Sequence, residues 1–158
     1  MKKILSIACL FFVLGQWSCI STQNISKQNQ DMDSNGLTYL ALGDSYTIGE
    51  GVAAKDRYPH QVVEMLKESG INFSEPKIIA TTGWTTDELS KGIQASDING
   101  KTYDLVTLLI GVNNQYRGRP VDNYRSEFRQ LLEDAIAFAK GDKSHVVVLS
   151  IPDWGVTP

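Results

Sequence analysis

Residues 37–45 read Leu-Thr-Tyr-Leu-Ala-Leu-Gly-Asp-Ser, and this stretch decides the fold. A short apolar run ended by Gly43-Asp44 is typical of a buried β-strand that turns at its carboxyl end. Three more apolar runs follow, at Lys77–Ala80, Tyr103–Ile110 and His145–Ile151. Helical patterns separate the four runs. The sequence therefore predicts an α/β fold, with a parallel sheet covered by helices on both faces.

Three segments carry the helical patterns. Residues 59–70 begin with a proline suited to a first helical turn and end with a glycine. Thr85-x-x-Glu88 has the spacing of a capping box and begins a second helix. Apolar residues recur at helical spacing over residues 124–139, which predicts a third, amphipathic helix.

Length, composition and charge narrow the class of protein. A chain of 158 residues with 42% apolar and 21% charged residues is a single globular domain in size and make-up. The formal net charge is −3; without the first nineteen residues, 13 basic residues face 18 acidic ones, which gives −5. A domain with this net negative charge lacks the excess of basic residues that binds nucleic acid or anionic lipid, so no nucleic-acid partner is expected.

The first nineteen residues predict an export signal. Lys2 and Lys3 precede an apolar run over residues 4–14 that is too short to span a bilayer. Ser18-Cys19 resembles the end of a bacterial lipoprotein signal, so we expect a lipid on Cys19 that attaches the protein to a membrane; ordinary signal cleavage is the alternative. Residues 20–36 are polar and predict a tether. The protein is thus expected to be exported, periplasmic or membrane-anchored.

Polar segments follow the predicted strands, at the edge where ligands bind in parallel sheets. These segments are Gly43-Asp44-Ser45, Thr82-Gly83-Trp84, Gly111-Val112-Asn113-Asn114 and Pro152-Asp153-Trp154. A serine nucleophile needs a base and hydrogen-bond donors aimed at the oxyanion. Ser45 offers a hydroxyl and a backbone N–H, Gly83 a backbone N–H, and Asn113 an amide. Each residue alone is also an ordinary turn former.

These motifs, in this order, are similar to the first three blocks of the SGNH (GDSL-type) hydrolase superfamily. The resemblance covers residues 37–158 and implies a flavodoxin-like α/β/α sandwich that acts on esters, as a lipase, acyl-esterase or carbohydrate deacetylase. It implies Ser45 as nucleophile and as an oxyanion donor, with Gly83 and Asn113 as the other donors. Asn114 stands where the family often has aspartate. The substrate is expected to be a small-molecule or carbohydrate ester.

The resemblance also implies a late Asp-x-x-His block that supplies the base. Asp142-Lys-Ser-His145 has this spacing but precedes a strand, which puts His145 roughly 20 Å from the edge that carries Ser45. His60 opens a helix expected to begin on the side of Ser45, but it lacks an acid three residues earlier. We therefore expect the domain to be incomplete at its carboxyl end, with the base beyond Pro158 and these residues alone inactive.

Other functional classes fit less well. Gly49-x-Gly51-x-x-Ala54 matches a dinucleotide fingerprint, but its first glycine lies seven residues beyond the strand. No metal-ligand pattern is apparent, so neither metal nor cofactor is expected. A non-catalytic exported binding module of the same fold remains the alternative. Aromatic residues at the edge (Trp84, Tyr116 and Trp154) suit either a pocket or plain packing, and Arg117 and Arg119 either an anionic group or solvent.

Overall fold

The computed structural model describes residues 36–151, which lie within one compact unit, Asn35–Pro158. The predicted export signal, its Cys19, all but the last residue of the tether, and Trp154 lie outside the described residues. Within residues 36–151, no helix is both long enough and apolar enough to cross a membrane.

Four parallel strands form the sheet, as the sequence predicts. They are β1 (Tyr39–Gly43), β2 (Lys77–Ala80), β3 (Leu105–Leu109) and β4 (Val146–Val148). Their spatial order is β2-β1-β3-β4. In the register, Gly43 is paired with Ala80 on one side and Leu109 on the other, so the carboxyl ends of the three strands meet at one edge.

Five α-helices occur among the described residues. They are α1 (Ser45–Ile48), α2 (Tyr58–Glu68), α3 (Thr86–Ala95), α4 (Val112–Tyr116) and α5 (Val121–Phe138). The capping box of α3 forms as predicted, and the Glu88 carboxylate accepts a hydrogen bond from the Thr85 N–H at 2.9 Å. α5 begins three residues earlier than expected, directly after Pro120.

Alternation along β1 divides the core into two layers. Leu40 and Leu42 are fully buried in the larger cluster, with residues of α3 and α5 such as Leu89 and Leu131. The intervening residues, Tyr39 and Ala41, pack on the other face with Val63 of α2. Helices therefore cover both faces, which confirms the predicted α/β/α sandwich.

The strand order creates a crevice between β1 and β3. From β1 the chain crosses to β2 on one side, whereas from β3 it crosses to β4 on the other. In open parallel sheets, ligands bind at such a switch point, outside the carboxyl ends of the strands. The residues that follow β1 and β3 are Asp44-Ser45 and Gly111–Asn114, so the fold brings two of the predicted motifs to this crevice.

The fourth strand is shorter than the predicted 145–151. Residues Lys143–His145 form a 3₁₀ turn, because the Asp142 carboxylate accepts a hydrogen bond from the Ser144 N–H at 2.9 Å. Local capping thus removes His145 from the strand and leaves it in the turn at the amino end. Beyond β4, the Leu149 N–H still donates to the Leu108 carbonyl.

Candidate active site

Ser45 is the first residue of α1, immediately after the buried Asp44. The Asp44 Oδ1 accepts a hydrogen bond from the Tyr46 N–H at 3.1 Å and caps the helix. Its Oδ2 is buried and has no partner among residues 36–151, and burial raises the pKa of this carboxyl to about 6. The Ser45 N–H lies in the first turn of the helix, where amides have no intrahelical acceptor.

The turn that carries Ser45 lies tightly against β3. A Cβ atom at Gly43 would lie 2.5 Å from the Leu109 carbonyl oxygen and 2.0 Å from the Thr47 Oγ1. These separations are far below van der Waals contact, so only glycine fits where β1 meets α1. The close approach brings Ser45 towards the segment that follows β3.

Ser45 and Asn113 share one cavity at the carboxyl edge of the sheet. The cavity has a volume of about 320 Å³ and is lined by Ser45, Tyr46, Val112, Asn113 and Tyr116. Asn113 lies in α4, a short helix that the sequence patterns do not predict. Two of the three predicted catalytic residues are therefore brought together, and Tyr46 is a lining residue that the sequence reasoning missed.

Gly83 adjoins this site through its neighbour. The Asn113 Nδ2 donates a hydrogen bond to the Trp84 carbonyl at 2.8 Å, and Gly83 has a positive φ of 84°. The Gly83 carbonyl accepts a hydrogen bond from the Arg117 guanidinium at 2.6 Å. The peptide segment around Gly83 is thus fixed by side chains from α4 and the residue after it, although Gly83 does not line the cavity itself.

The two arginines near the edge pair with carboxylates of α3. Arg117 lies 3.2 Å from Glu88, and Arg119 pairs with Asp87. A hydrogen bond from the Thr85 hydroxyl, followed by those from Arg119 and Lys91, holds the pKa of Asp87 well below its usual range. These contacts attach the loop after α4 to the start of α3 and leave neither guanidinium simply solvated.

The aromatic residues at the edge have different environments. Trp84 packs on the larger core cluster and so closely on Gly92 that a Cβ there would lie 2.2 Å from the indole ring. Trp84 is therefore mainly a packing residue of the core. Tyr116 is 71% exposed and lines the cavity.

The two histidines occupy different places in the fold. His145 occupies the turn before β4. The His60 Nε2 lies 2.6 Å from the Glu75 carboxylate, two residues before β2 begins. The Tyr58 hydroxyl, at the start of the same helix, interacts with Thr47 and Asp44 next to Ser45. The side of the sheet on which His60 lies therefore stays a prediction. Neither histidine lines the cavity with Ser45.

Three residues that the sequence reasoning did not assign to the site form a buried polar group behind it. Asn114 is 2% exposed, Thr86 is fully buried, and both bond to each other. The Thr86 hydroxyl also donates to the Glu127 carboxylate of α5. These hydrogen bonds join residues 28 and 41 positions apart, so they leave no local pattern in the sequence. The one available signal is Asn114 itself, which stands where the family often has aspartate.

Comparisons with known proteins agree with this architecture. The chain is similar to a crystal structure of AlinE4, described as an SGNH-hydrolase family esterase, at 23% identity and a TM-score of 0.59, over 73% of this chain and 58% of that one. It is also similar to TesA, at 18% identity and a TM-score of 0.59, over 72% and 58% of the two chains. The esterase EstA from Pseudoalteromonas sp. matches at 16% identity with a TM-score of 0.58, over 75% and 63%.

The chain thus spans about three fifths of the length of these structural neighbours. Comparison with curated protein sequences gives no match. A family model, however, matches residues 41–158, three quarters of the chain, and includes all the motifs described above. The chain belongs to the GDSL-like lipase/acylhydrolase family.

Proposed function

We propose that the protein is a serine ester hydrolase in which Ser45 is the nucleophile. The observation that carries this proposal is the cavity that Ser45 shares with Asn113 at the switch point of the sheet. Family membership supports ester hydrolysis, and the neighbours AlinE4 and EstA are described as esterases.

In the proposed reaction, the Ser45 Oγ attacks the ester carbonyl carbon while a base takes its proton. The carbonyl oxygen becomes an oxyanion in the tetrahedral intermediate. When the intermediate collapses, the bond to the leaving alcohol breaks, the alcohol takes a proton, and an acyl-enzyme remains. Water then attacks the acyl group and releases the acid and Ser45.

Three donors are available for the oxyanion. The Ser45 N–H has no intrahelical acceptor, and the Gly83 N–H has no acceptor among residues 36–151. The Asn113 Nδ2 donates one hydrogen to the Trp84 carbonyl. A carboxamide nitrogen carries two hydrogens, so the second remains for the substrate. The hydrogen bond to Trp84 orients the Asn113 amide and leaves its second N–H able to donate.

The base comes from outside the described residues in this proposal. Neither histidine of the described part lines the cavity with Ser45, and a general base must be within hydrogen-bond reach of the hydroxyl that it deprotonates. The alternative remains a binding module of the same fold that lacks a base. The two functions differ in one observable: the enzyme turns over esters, and the binding module only binds them.

The substrate class in this proposal is a small-molecule or carbohydrate ester. The cavity is small, and two tyrosines and Val112 form its wall beside Ser45 and Asn113. Aromatic and apolar side chains suit an acyl group or a sugar face.

Replacement of Ser45 by alanine tests the proposal. In the full-length protein, we expect Ser45→Ala to lower hydrolysis of short acyl esters by about 10⁴-fold or more, because triad members act as a unit. Ser126→Ala is the matched control, since Ser126 is an exposed serine of α5. Thermal unfolding of both variants checks the fold. Turnover by Ser45→Ala close to that of the control would refute Ser45 as the nucleophile.

We also propose that the protein is exported and lipid-anchored through Cys19, on the strength of the apolar run and polar tether around that residue. Cys19→Ser should then move the protein from the membrane fraction to the soluble fraction. Fractionation is measured by immunoblotting against wild type. A wild-type protein whose mature amino terminus lies beyond Cys19 would contradict lipidation.

A further inference from the structure

We infer that Asn114, Thr86 and Glu127 form a directed hydrogen-bond chain that positions Asn113 for oxyanion binding. The inference deepens the proposed ester-hydrolase function and rests on it. It makes Asn114 and Glu127 positioning residues, since neither lines the cavity that holds Ser45.

The orientation of the Asn114 amide follows from its contact with a backbone group. The Thr86 N–H can only donate, and it lies 3.1 Å from the Asn114 Oδ1. The other end of the amide, Nδ2, therefore faces the Thr86 Oγ1, at 2.7 Å. A flipped amide would place two donors against each other, so the pair of contacts permits one orientation.

The direction of the chain continues through the Thr86 hydroxyl. This oxygen accepts a hydrogen from Asn114, so its own hydrogen is available to the Glu127 carboxylate, which can only accept. The sequence of donation is Asn114 to Thr86 to Glu127. Asn114 and Thr86 are almost fully buried, and each of these groups is satisfied only in this arrangement.

The chain joins three helices around the site. Asn114 lies in α4, Thr86 begins α3, and Glu127 belongs to α5. A five-residue helix such as α4 makes few hydrogen bonds of its own, so contacts with other elements determine its position.

Asn113 is the neighbour of Asn114 on this short helix, and its amide bonds to Trp84, two residues before Thr86. The two asparagines therefore bind the same stretch that contains Gly83. The hydrogen bonds of Asn114 consequently fix the separation of the two proposed oxyanion donors, the Gly83 N–H and the Asn113 amide.

A charge change at position 114 conflicts with this direction. In Asn114→Asp, one oxygen of the new aspartate would still accept from the Thr86 N–H, but its other oxygen and the Glu127 carboxylate would compete for the single hydroxyl hydrogen, and one of these two oxygens would be left without a donor. Glu127→Gln removes the conflict, because the glutamine amide donates to the Thr86 Oγ1 and the hydroxyl then donates to the new aspartate. The chain reverses its direction and is complete again.

The test is a set of variants assayed in the full-length protein with p-nitrophenyl acetate. We expect Asn114→Asp to lower kcat by about tenfold or more while KM changes little, because the oxyanion donors act on the transition state. The double variant Asn114→Asp/Glu127→Gln should recover most of the lost kcat. Asn114→Asp/Glu133→Gln is the matched control: it removes an exposed carboxylate from the same helix and should recover none.

A second pair of variants decides the matter even if Asn114→Asp fails to fold. Thr86→Val keeps the shape and the N–H but removes the hydroxyl, and it should lower kcat. Thr86→Ser keeps the hydroxyl and should stay within about twofold of wild type, the range of a neutral substitution.

Specific results would overturn the inference. These are an Asn114→Asp kcat like that of wild type, even with a lowered melting temperature; equal recovery, or none, with Glu127→Gln and Glu133→Gln; or a Thr86→Val kcat like that of Thr86→Ser. Failure of the proposed function is distinguishable, because it would appear as undiminished turnover by Ser45→Ala.

Discussion

The two edges of the sheet carry similar residue types in different environments. At the carboxyl edge, the Asp44 carboxyl is buried, one oxygen has no partner within residues 36–151, and burial raises its pKa to about 6. At the amino edge, Lys140 lies 2.5 Å from Asp104, and the Thr38 N–H and hydroxyl each lie 2.8 Å from it. These partners lower the pKa of Asp104 to about 2.

The difference between the two edges indicates which of them carries the candidate active site. At the amino edge, the Asp104 carboxylate is paired with Lys140 and bonded to Thr38. The carboxyl edge retains a buried carboxyl oxygen beside Ser45, the Asp44 Oδ2, which has no partner among residues 36–151. A buried carboxyl oxygen without a partner destabilises a fold, so its place next to Ser45 favours a functional role over a structural one.

The same difference between the edges explains why the Asp-x-x-His spacing does not identify the catalytic base. Asp142 and His145 have the separation of a catalytic pair, but the Asp142 carboxylate accepts hydrogen bonds from the N–H and the hydroxyl of Ser144, at 2.9 and 2.7 Å. The aspartate caps a turn at the amino edge. Strand direction, rather than residue spacing, decides which polar residues can meet Ser45.

After Ser45→Ala, the largest effect is expected for the oxyanion donor at the carboxyl edge. Asn113→Ala in the full-length protein should lower kcat by about 10²–10³-fold, because it removes a donor that acts on the transition state. Steady-state hydrolysis of a short acyl ester measures the change. Asn99→Ala is the control, since Asn99 is an exposed asparagine whose amide bonds only to nearby carbonyls. Equal rates for the two variants would remove Asn113 from the site.

The two aspartates should show opposite pH dependence of stability. Because the folded pKa of Asp44 is raised from 3.8 to about 6, its contribution to stability is present below pH 4 and is lost as the pH rises through 6. Asp44→Asn keeps the helix cap and cannot ionise. Its stability relative to wild type should therefore increase by about 2 kcal/mol between pH 4 and 7.

Asp104→Asn is the matched variant at the other edge. The folded pKa of Asp104 is lowered, so its stabilising contribution is present above the unfolded value near 4 and is lost as the pH falls through about 2. The variant should lose stability relative to wild type as the pH rises from 2 to 4. Urea unfolding from pH 2 to pH 7 measures both effects; parallel stability curves for the two variants would contradict the assigned environments.

The smallest effect is expected for the histidine of the amino edge. His145→Gln should leave ester turnover within about twofold of wild type, as expected for a substitution away from the site. His60→Gln should behave in the same way, although it weakens the contact with Glu75. Loss of activity in folded His145→Gln would contradict the distinction between the edges.

Much of the fold could be predicted from the sequence, because strands and helix caps leave local sequence patterns. β2 coincides with the predicted Lys77–Ala80, and the capping box at Thr85 marks the start of α3. The end of β1 at Gly43-Asp44 is likewise predicted correctly. β4 is overestimated because an apolar run continues past the residues that pair, and a turn capped by Asp142 delays its start.

The candidate site could be predicted from the sequence only in part. Ser45, Gly83 and Asn113 follow from strand ends and from the family resemblance, and their roles stay predictions. The partners of the two arginines and the Asn114–Thr86–Glu127 chain join residues 28 to 41 positions apart, so tertiary packing alone brings them together.

Covalent labelling tests the central claim most directly. The full-length protein is treated with a p-nitrophenyl alkylphosphonate, which an activated serine attacks to form a stable phosphorus–oxygen bond with loss of p-nitrophenolate. Peptide mass spectrometry then locates the adduct. We predict one phosphonyl group on Ser45, absent in Ser45→Ala and present in His145→Gln. An adduct on a different residue, or loss of ester turnover while Ser45 stays unmodified, would contradict the account.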